Sequence, residues 1–413
     1  MVHHIRLTLP LSGRLMDSHN QENNNRSRIV IFCAVHMLLI ASGISWAAIR
    51  YEAWQSVRVL PVPRNEPLQV NPLYNDPDVV SDEQLISVLT ILKPKFRHDK
   101  PKINHVDHAL RFWGVEAVFD DPESLSGVEM RELLLDHRQF AQAWGPKTDP
   151  FLIDESNGVR FRTQEGRATA SHVDHTLAGL AEVGTPLDYP VITSKGEKRL
   201  CDILMQALGD FSINQMEYEW SALAFALYLP PAGHFYSSEG QKITFDLLAE
   251  RIMRQRLVQG VCRGNHRLHA LVVLLRVDEQ EPILSDSGRK RIIEYLRDVT
   301  RRFVENQNTE GYFERRWPGS EWDGPQPETD TKSDQLVDRL LVTGHVMEWW
   351  SLAPPEVQPP REVVVRAGQW LCKTIEGLSD RQVKSHYTFL SHAGRALALW
   401  RGTFPAEVMR NSH

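Results

Sequence analysis

The sequence predicts an all-α protein: an α/α toroid, a barrel of inner and outer helices, with a small β-hairpin insertion and one N-terminal transmembrane helix. Three observations lead there. Beyond residue 80, apolar residues recur at helical spacing over most of the chain, and strand signals are few. A short His-bearing motif recurs five times ahead of apolar helical runs. One apolar run near the N-terminus is long enough to cross a bilayer. A length of 413 residues with 42% hydrophobic and 24% charged residues excludes a disordered or collagenous chain. Lys and Arg number 47 against 53 Asp and Glu, so the net charge of −6 offers no basic excess and no nucleic-acid partner is expected.

The run from Ile29 to Ile49 contains no Asp, Glu, Lys or Arg. At about 1.5 Å per residue it spans roughly 31 Å, enough for a bilayer core. Arg6, Arg14, Arg26 and Arg28 precede it against Asp17 and Glu22. The positive-inside bias therefore predicts a cytoplasmic tail (1–28), a single-pass anchor (29–49) and an extracytoplasmic main domain, with the membrane as first partner. The alternative is a cleaved signal peptide, with Ser45-Trp46-Ala47 as a small-x-small cleavage site and a secreted product. Residues 50–80 hold Pro61, Pro63, Pro67, Pro72 and Pro77 and read as an extended tether. The toroid domain follows over 81–413. Export would put Cys201, Cys262 and Cys372 in an oxidising compartment, where one pair could be bonded.

Ser81 and Asp82 stand before the apolar run LISVLTIL, as helix starts do. Val128–Trp144 reads as a second helix. Ser212-x-x-Gln215 has the capping-box pattern and predicts a helix through SALAFALYL, stopped by Pro230-Pro231. Further helices are expected over 243–258, 266–277, 288–306, 334–352, 361–376 and 391–401. Residues 151–162 supply the hairpin, turning at Asn157-Gly158.

The recurring motif is Asn104-His105-x-x-His108, Ser171-His172-x-x-His175 and Asn265-His266-x-x-His269, then Gly344-His345-x-x-Glu348 and Ser391-His392-x-x-Arg395. Chance predicts about 0.7 His pairs at i,i+3 in such a composition, and three occur. Asn, Ser and Gly are preferred N-caps, and positions three apart share a helix face. The copies lie 67, 94, 79 and 47 residues apart, room for an outer helix between successive inner ones. Inner helices starting at one rim would gather imidazoles around a single mouth.

Gln307-Asn-Thr-Glu-Gly311-Tyr312-Phe313 resembles the Gln-x-x-x-Gly-x-Trp/Phe element of the terpenoid cyclase and protein prenyltransferase superfamily of α/α toroids. The resemblance covers about seven residues. It implies a structural role for Gln307, Gly311 and Phe313, tying one helix end to the next turn. The acid motifs of the cyclases are missing: Asp120-Asp121-Pro122-Glu123 lacks the last Asp and carries a helix-breaking Pro.

Cys262, His266 and His269 form the densest soft-ligand cluster and suit zinc, with His175 or His108 as a fourth donor. Asn214 to Trp220 is the second focus: Glu217 and Tyr218 are candidate acid–base groups, with Asn214 and Trp220 to hold a ligand. Trp317 and Trp322, in a long acid-rich loop, would clamp that ligand. His345 and Glu348 complete the mouth as helix-start residues. With His175 and His269 they are the other acid–base candidates, while His105, His108 and His172 line the site. The leading expectation is a carbohydrate-active lyase, hydrolase or epimerase acting on a saccharide or other cell-envelope ligand. The alternatives are a zinc-dependent toroid enzyme centred on Cys262, His266 and His269, or an exported scaffold or binding domain. No Walker loop, dinucleotide fingerprint, Gly-x-Ser-x-Gly elbow or HExxH motif is present.

Overall fold

A computed structural model describes residues 16–57, 62–97, 100–163, 166–231, 234–317 and 332–411. The chain is mostly helical, with sixteen α-helices among the described residues and three short two-stranded hairpins. The first helix, α1 (Met16–Val57), contains the apolar stretch Arg28–Tyr51, which is long enough to cross a membrane and wholly unburied. The remaining helices are α2 (Asp82–Ile91), α3 (Ile103–Trp113), α4 (Gly127–Leu135), α5 (His137–Trp144), α6 (His175–Glu182), α7 (Leu200–Asp210) and α8 (Glu219–Tyr228). They continue as α9 (Phe245–Arg254), α10 (Asn265–Asp278), α11 (Asp286–Glu305), α12 (Lys332–Leu352), α13 (Arg361–Glu376), α14 (Asp380–Ser385), α15 (Tyr387–Trp400) and α16 (Pro405–Asn411).

Two sequence types sort these helices. In α8 every residue from Glu219 to Tyr228 is buried, and α10 is buried from Asn265 to Val277. A helix that is apolar nearly all round has to be enclosed on all sides. In α11 the buried residues are spaced three or four apart, Ile292, Leu296, Val299 and Phe303 among them, so one stripe faces the core. The enclosed helices pack in a cycle: α3 on α6, α6 on α8, α8 on α10, α10 on α12, α12 on α15, and α15 back on α3. Striped helices lie against them, with α4 on α3, α9 and α11 on α10, and α13 on α12.

Several local expectations are corrected. Val128–Trp144 is two helices, because Asp136 leaves the helical path and caps α5 by accepting from Arg138 N at 2.8 Å. Residues 212–218 are a turn, and α8 begins only at Glu219. Ser212 N does donate to Gln215 Oε1 at 3.2 Å, but the capping bond closes a turn outside the helix. Ser81 has a complete capping box whose partner is Gln84. The hairpin at 151–162 is present, with β1 (Leu152–Asp154) antiparallel to β2 (Val159–Phe161). All four cysteines are free thiols, and no pair among Cys201, Cys262 and Cys372 is bonded.

The Pro-rich segment is not a free tether over its described part. Arg64 N donates to Tyr228 O and Asp76 N to Trp400 O, both at 2.8 Å. Tyr74 OH donates to Ala353 O at 2.7 Å, and Arg276 Nη1 reaches Leu352 O at 3.2 Å and Asn71 O at 3.4 Å. The segment thus crosses the C-terminal ends of α8, α10, α12 and α15 and takes up backbone carbonyls those ends leave over. Prolines suit this path, since an extended strap has no ladder to donate to.

Gln307 donates from Nε2 to Gly311 O at 2.9 Å and to Val363 O at 2.8 Å, joining the end of α11 to the start of α13. Phe313 is buried against Phe303 and Trp350. Gly311 has φ +108°, and a Cβ there would lie 2.3 Å from Arg366 O. Gly311→Ala is therefore expected to cost about 1–3 kcal/mol of stability, read as a lower urea midpoint with an unchanged slope. An unaltered midpoint would show that this tie does not hold the two helices.

Candidate metal centre

One ring side chain from each of the six enclosed helices meets at a single level. His108 stacks on His175 at a centroid distance of 4.6 Å, and His175 meets Trp220 edge-on at 4.3 Å. Trp220 contacts His266 at 4.4 Å, and His266 contacts His345 at 4.7 Å. His345 stacks on His392 at 3.7 Å, and His392 returns to His108 at 5.4 Å. The close His345–His392 stack depends on Gly344, whose missing Cβ would sit 3.0 Å from Ala393 N. All six residues are buried.

A charged level lies one helical turn deeper. Arg111 donates to Glu182 and to Glu348, the latter at 2.8 Å, and Arg395 reaches the same two carboxylates. His269 Nε2 lies 3.1 Å from Glu182 Oε1 and 3.0 Å from Arg111 Nη2. Burial by itself would raise both carboxyls, but Arg111 and Arg395 hold Glu182 and Glu348 well below the ordinary carboxylate range. Two guanidinium and two carboxylate groups balance, which is what burial of four charges requires.

Four of the imidazoles above them, His108, His266, His345 and His392, are kept neutral. Burial, with neighbouring imidazoles adding to it, holds His108, His266 and His345 well below the usual histidine value. Burial brings His392 down to about 4 despite the opposing pull of Glu348. His345 Nδ1 lies 2.6 Å from Leu341 O. A carbonyl can only accept, so the proton sits on Nδ1 and the Nε2 lone pair is left free. That Nε2 is buried and has no hydrogen-bond partner.

Cys262 completes the arrangement. Its Sγ and one nitrogen each of His266 and His345 all lie within 4.8 Å of one another. Cys262 and Arg263 have φ values of 49° and 59°, consecutive left-handed residues without glycine's freedom. Such a conformation costs of order 1 kcal/mol or more per residue and persists where surrounding structure imposes it. Asn265 imposes it here: Nδ2 donates to Cys262 O at 2.9 Å, and Oδ1 accepts from Trp349 Nε1 at 3.3 Å. A tetrahedral zinc site with bonds of about 2.0–2.3 Å needs ligand atoms about 3.5 Å apart, so a contraction of about 1 Å would close it. Neutral imidazoles are the ligating form. Burial pushes the thiol up to about 12, so a cation is what would favour its thiolate.

The other anticipated residues are scattered around this group. His269 is not part of the Cys262 group; it is spent on Glu182 and Arg111, and the second nitrogen comes from His345 on another helix. His345 and Glu348 sit deep within α12 rather than at a helix start, and Glu348 belongs to the charged level. Tyr218 is buried just before α8, its phenol pushed up to about 12 by burial. Glu217 and His172 remain partly exposed and form a pair, with Nδ1 to Oε2 at 2.7 Å, beside His175. Asn214 is exposed in the preceding turn. His105 packs among Phe96 and Tyr387, away from the metal-type group. Trp220 and Trp317 are enclosed, Trp317 stacked on Phe303 at 3.7 Å, so neither presents a face to a ligand. Trp322 lies outside the described residues. Sequence reasoning passed over Asp107, which accepts from His175 Nδ1 at 2.7 Å and Thr176 Oγ1 at 2.8 Å. It also left His392 out of the site. Its place in the fifth motif copy was the available signal.

No family model, curated protein or solved structure matches this chain.

The neutral histidines make stability depend on pH. Each binds its proton less readily when folded than when unfolded, where the ordinary value is near 6.5. Below about 6.5 the unfolded chain takes up protons that the folded chain refuses, so stability falls as pH falls toward about 4. The contribution is complete above that window. With chelator present, the unfolding free energy from urea titration is expected to drop steadily between pH 7 and pH 4.5, by up to about 1.4 kcal/mol per pH unit for each histidine involved. A flat profile over that range would mean the imidazoles are not held neutral.

Proposed function

We propose that this protein is a membrane-anchored, zinc-dependent enzyme whose body is an α/α toroid. In this reading the cycle of α3, α6, α8, α10, α12 and α15 forms the inner ring, and the metal is held by Cys262, His266 and His345. The observation that carries it is the convergence of one sulfur and two imidazole nitrogens within 4.8 Å at a strained, braced turn. A zinc ion with three protein ligands keeps a coordination position for water or a substrate oxygen and polarises what binds there. The half-exposed Glu217–His172 pair is the acid–base group nearest solvent. Glu217 takes the Nδ1 proton of His172 in a hydrogen bond and leaves Nε2 to exchange a proton with substrate. The same pair would serve the carbohydrate-active reading, but the enclosed faces of Trp220 and Trp317 give that reading no stacking clamp among the described residues.

Metal content tests the proposal. The full chain, purified in detergent, is expected to carry at least one zinc, and Cys262→Ser with His345→Ala is expected to lose one and with it turnover. A zinc-free chain that stays folded and is indifferent to chelators would rule the reading out.

The apolar helix supports a single-pass anchor with the body on the extracytoplasmic side, given the arginines that precede it. Alkaline phosphatase fused to the C-terminus and expressed in a bacterium is expected to be active. An inactive fusion on a stable chain would place the body in the cytoplasm. A shortened product lacking residues before 48 would mean a cleaved signal sequence instead.

A further inference from the structure

The apolar span ends beside the His172–Glu217 pair, not beside the strap. Trp46 and Tyr51, both exposed, stand at its end as interfacial aromatics do. Arg50 lies over the Trp46 ring at 5.1 Å and donates from Nη2 to Ser238 O at 2.8 Å. Here α1 packs against the hairpin of Phe235–Tyr236 and Lys242–Ile243. A chain of hydrogen bonds leads from that hairpin to the pair. Ser238 N donates to Phe211 O at 2.8 Å, and Ser212 Oγ donates to Glu239. Ser212 N donates to Gln215 Oε1 at 3.2 Å, and Gln215 Nε2 to Glu217 O at 3.1 Å. Glu217 is the carboxylate bonded to His172. The first tie of the strap, Arg64 N to Tyr228 O, lies at the other end of α8, roughly 14 Å along the helix from Glu219. Arg50 therefore stands at the level of the pair, and Arg64 at the far end of the body.

The surface at that level carries apolar side chains. Met216 is 81% exposed and Val173 48% exposed. They are the chain neighbours of Glu217 and His172, so an exposed apolar residue adjoins each member of the pair. One such residue alone would mean little. Two of them near the end of a membrane span suit the boundary between headgroups and acyl chains. A cavity of about 280 Å³ lies beside them. Phe161, Ile203 and Phe211 give it apolar walls, while Val173, Asp174 and Gln215, one or two residues from His172 and Glu217, complete the lining. Asp174 accepts from Ser221 Oγ, which in turn accepts from Gln215 Nε2 at 3.1 Å. Apolar walls with a few fixed polar groups are the usual make-up of a small-molecule site.

We propose that this rim rests on the bilayer and that the site takes a membrane amphiphile, with its apolar tail in the cavity and its polar head at the His172–Glu217 pair. Met216 and Val173 then sit at the headgroup boundary, and the strap faces away from the membrane. The proposal rests on the uncleaved anchor and names a substrate class for the acid–base pair; it needs no metal at Cys262. A tail passing from the bilayer into apolar walls never exposes its surface to water, so the transfer avoids the cost of hydrating it.

The test uses the natural full-length protein in nanodiscs of phosphatidylethanolamine and phosphatidylglycerol, part of the latter carrying a diazirine in its acyl tail. After irradiation, lipid adducts are mapped by tandem mass spectrometry. Adducts are expected on the span Ile29–Ile49, on Met216 and Val173, and on Ile203 and Phe211 in the cavity. Leu73, an apolar residue of the strap that is 42% exposed, is the comparison. The yield at Met216 is expected to exceed that at Leu73 by about tenfold. Adducts on the span with equal yields at Met216 and Leu73, or a higher yield at Leu73, overturn the proposal and leave the anchor standing. Adducts at Met216 and Val173 with none in the cavity overturn the amphiphile as substrate. A span free of adducts overturns the anchor and the proposal with it.

Discussion

Four charges buried in the middle of a helical body have to neutralise one another, and the rest of the molecule is arranged around that requirement. Arg111, Glu182, Glu348 and Arg395 come from α3, α6, α12 and α15. No local sequence element supplies a complete ion pair here. The balance exists only when the helices stand at the right height and rotation. Removal of one partner would strand a charge where water cannot reach it, a loss of about 3–5 kcal/mol in comparable buried pairs. Replacing such a network by apolar side chains is often neutral or stabilising, so stability alone does not explain its presence. Its effect on the level above is more telling: Glu348 accepts a hydrogen bond from His392 Nδ1 and so fixes the tautomer of that ring.

The histidine layer follows from the same burial. Charged imidazoles would have to share an enclosed space, and burial together with mutual repulsion keeps His108, His266 and His345 neutral. Each neutral ring then offers one lone pair, and the acceptors at Nδ1 decide its direction. Strain is concentrated at the same place, where Cys262 and Arg263 adopt left-handed conformations under the brace of Asn265. The described Pro-rich strap lies across the opposite ends of the same helices, at Tyr228, Ala353 and Trp400. One end of the enclosed helices is thus tied off by backbone hydrogen bonds, while the polar residues gather elsewhere along them.

The fivefold motif shows what can and cannot be read from one chain. Its residues were legible: His108, His175, His266, His345 and His392 all belong to it. Its meaning as a helix start was not. Gly344 and Ser391 lie inside α12 and α15, and Asn265 braces a turn instead of capping. The layer uses the second histidine of the first two copies and the first histidine of the last three. A period of 3.6 residues defines a face but not a height, so a shift by one turn leaves the pattern unchanged. For that reason spacing groups His269 with Cys262 and His266, although the fold sets it one turn deeper, on Glu182 and Arg111. The aromatic candidates failed for a related reason. Trp220 and Trp317 suit a binding face or a core equally well by residue type, and packing enclosed both.

What the sequence determined by itself is the helical character of the body, the apolar run Ile29–Ile49 and the hairpin turn at Asn157-Gly158. These depend on local periodicity, turn chemistry and contacts between neighbouring segments of chain, which adjacent residues encode. The tertiary structure alone decided the partners across helices: Cys262 with His345, His175 with Asp107, and Arg111 with Glu182 and Glu348. Those pairings lie 68 to 237 residues apart along the chain and depend on relative helix height and rotation. Close packing and the cost of unpaired buried charge set both, and neither acts until the helices have met.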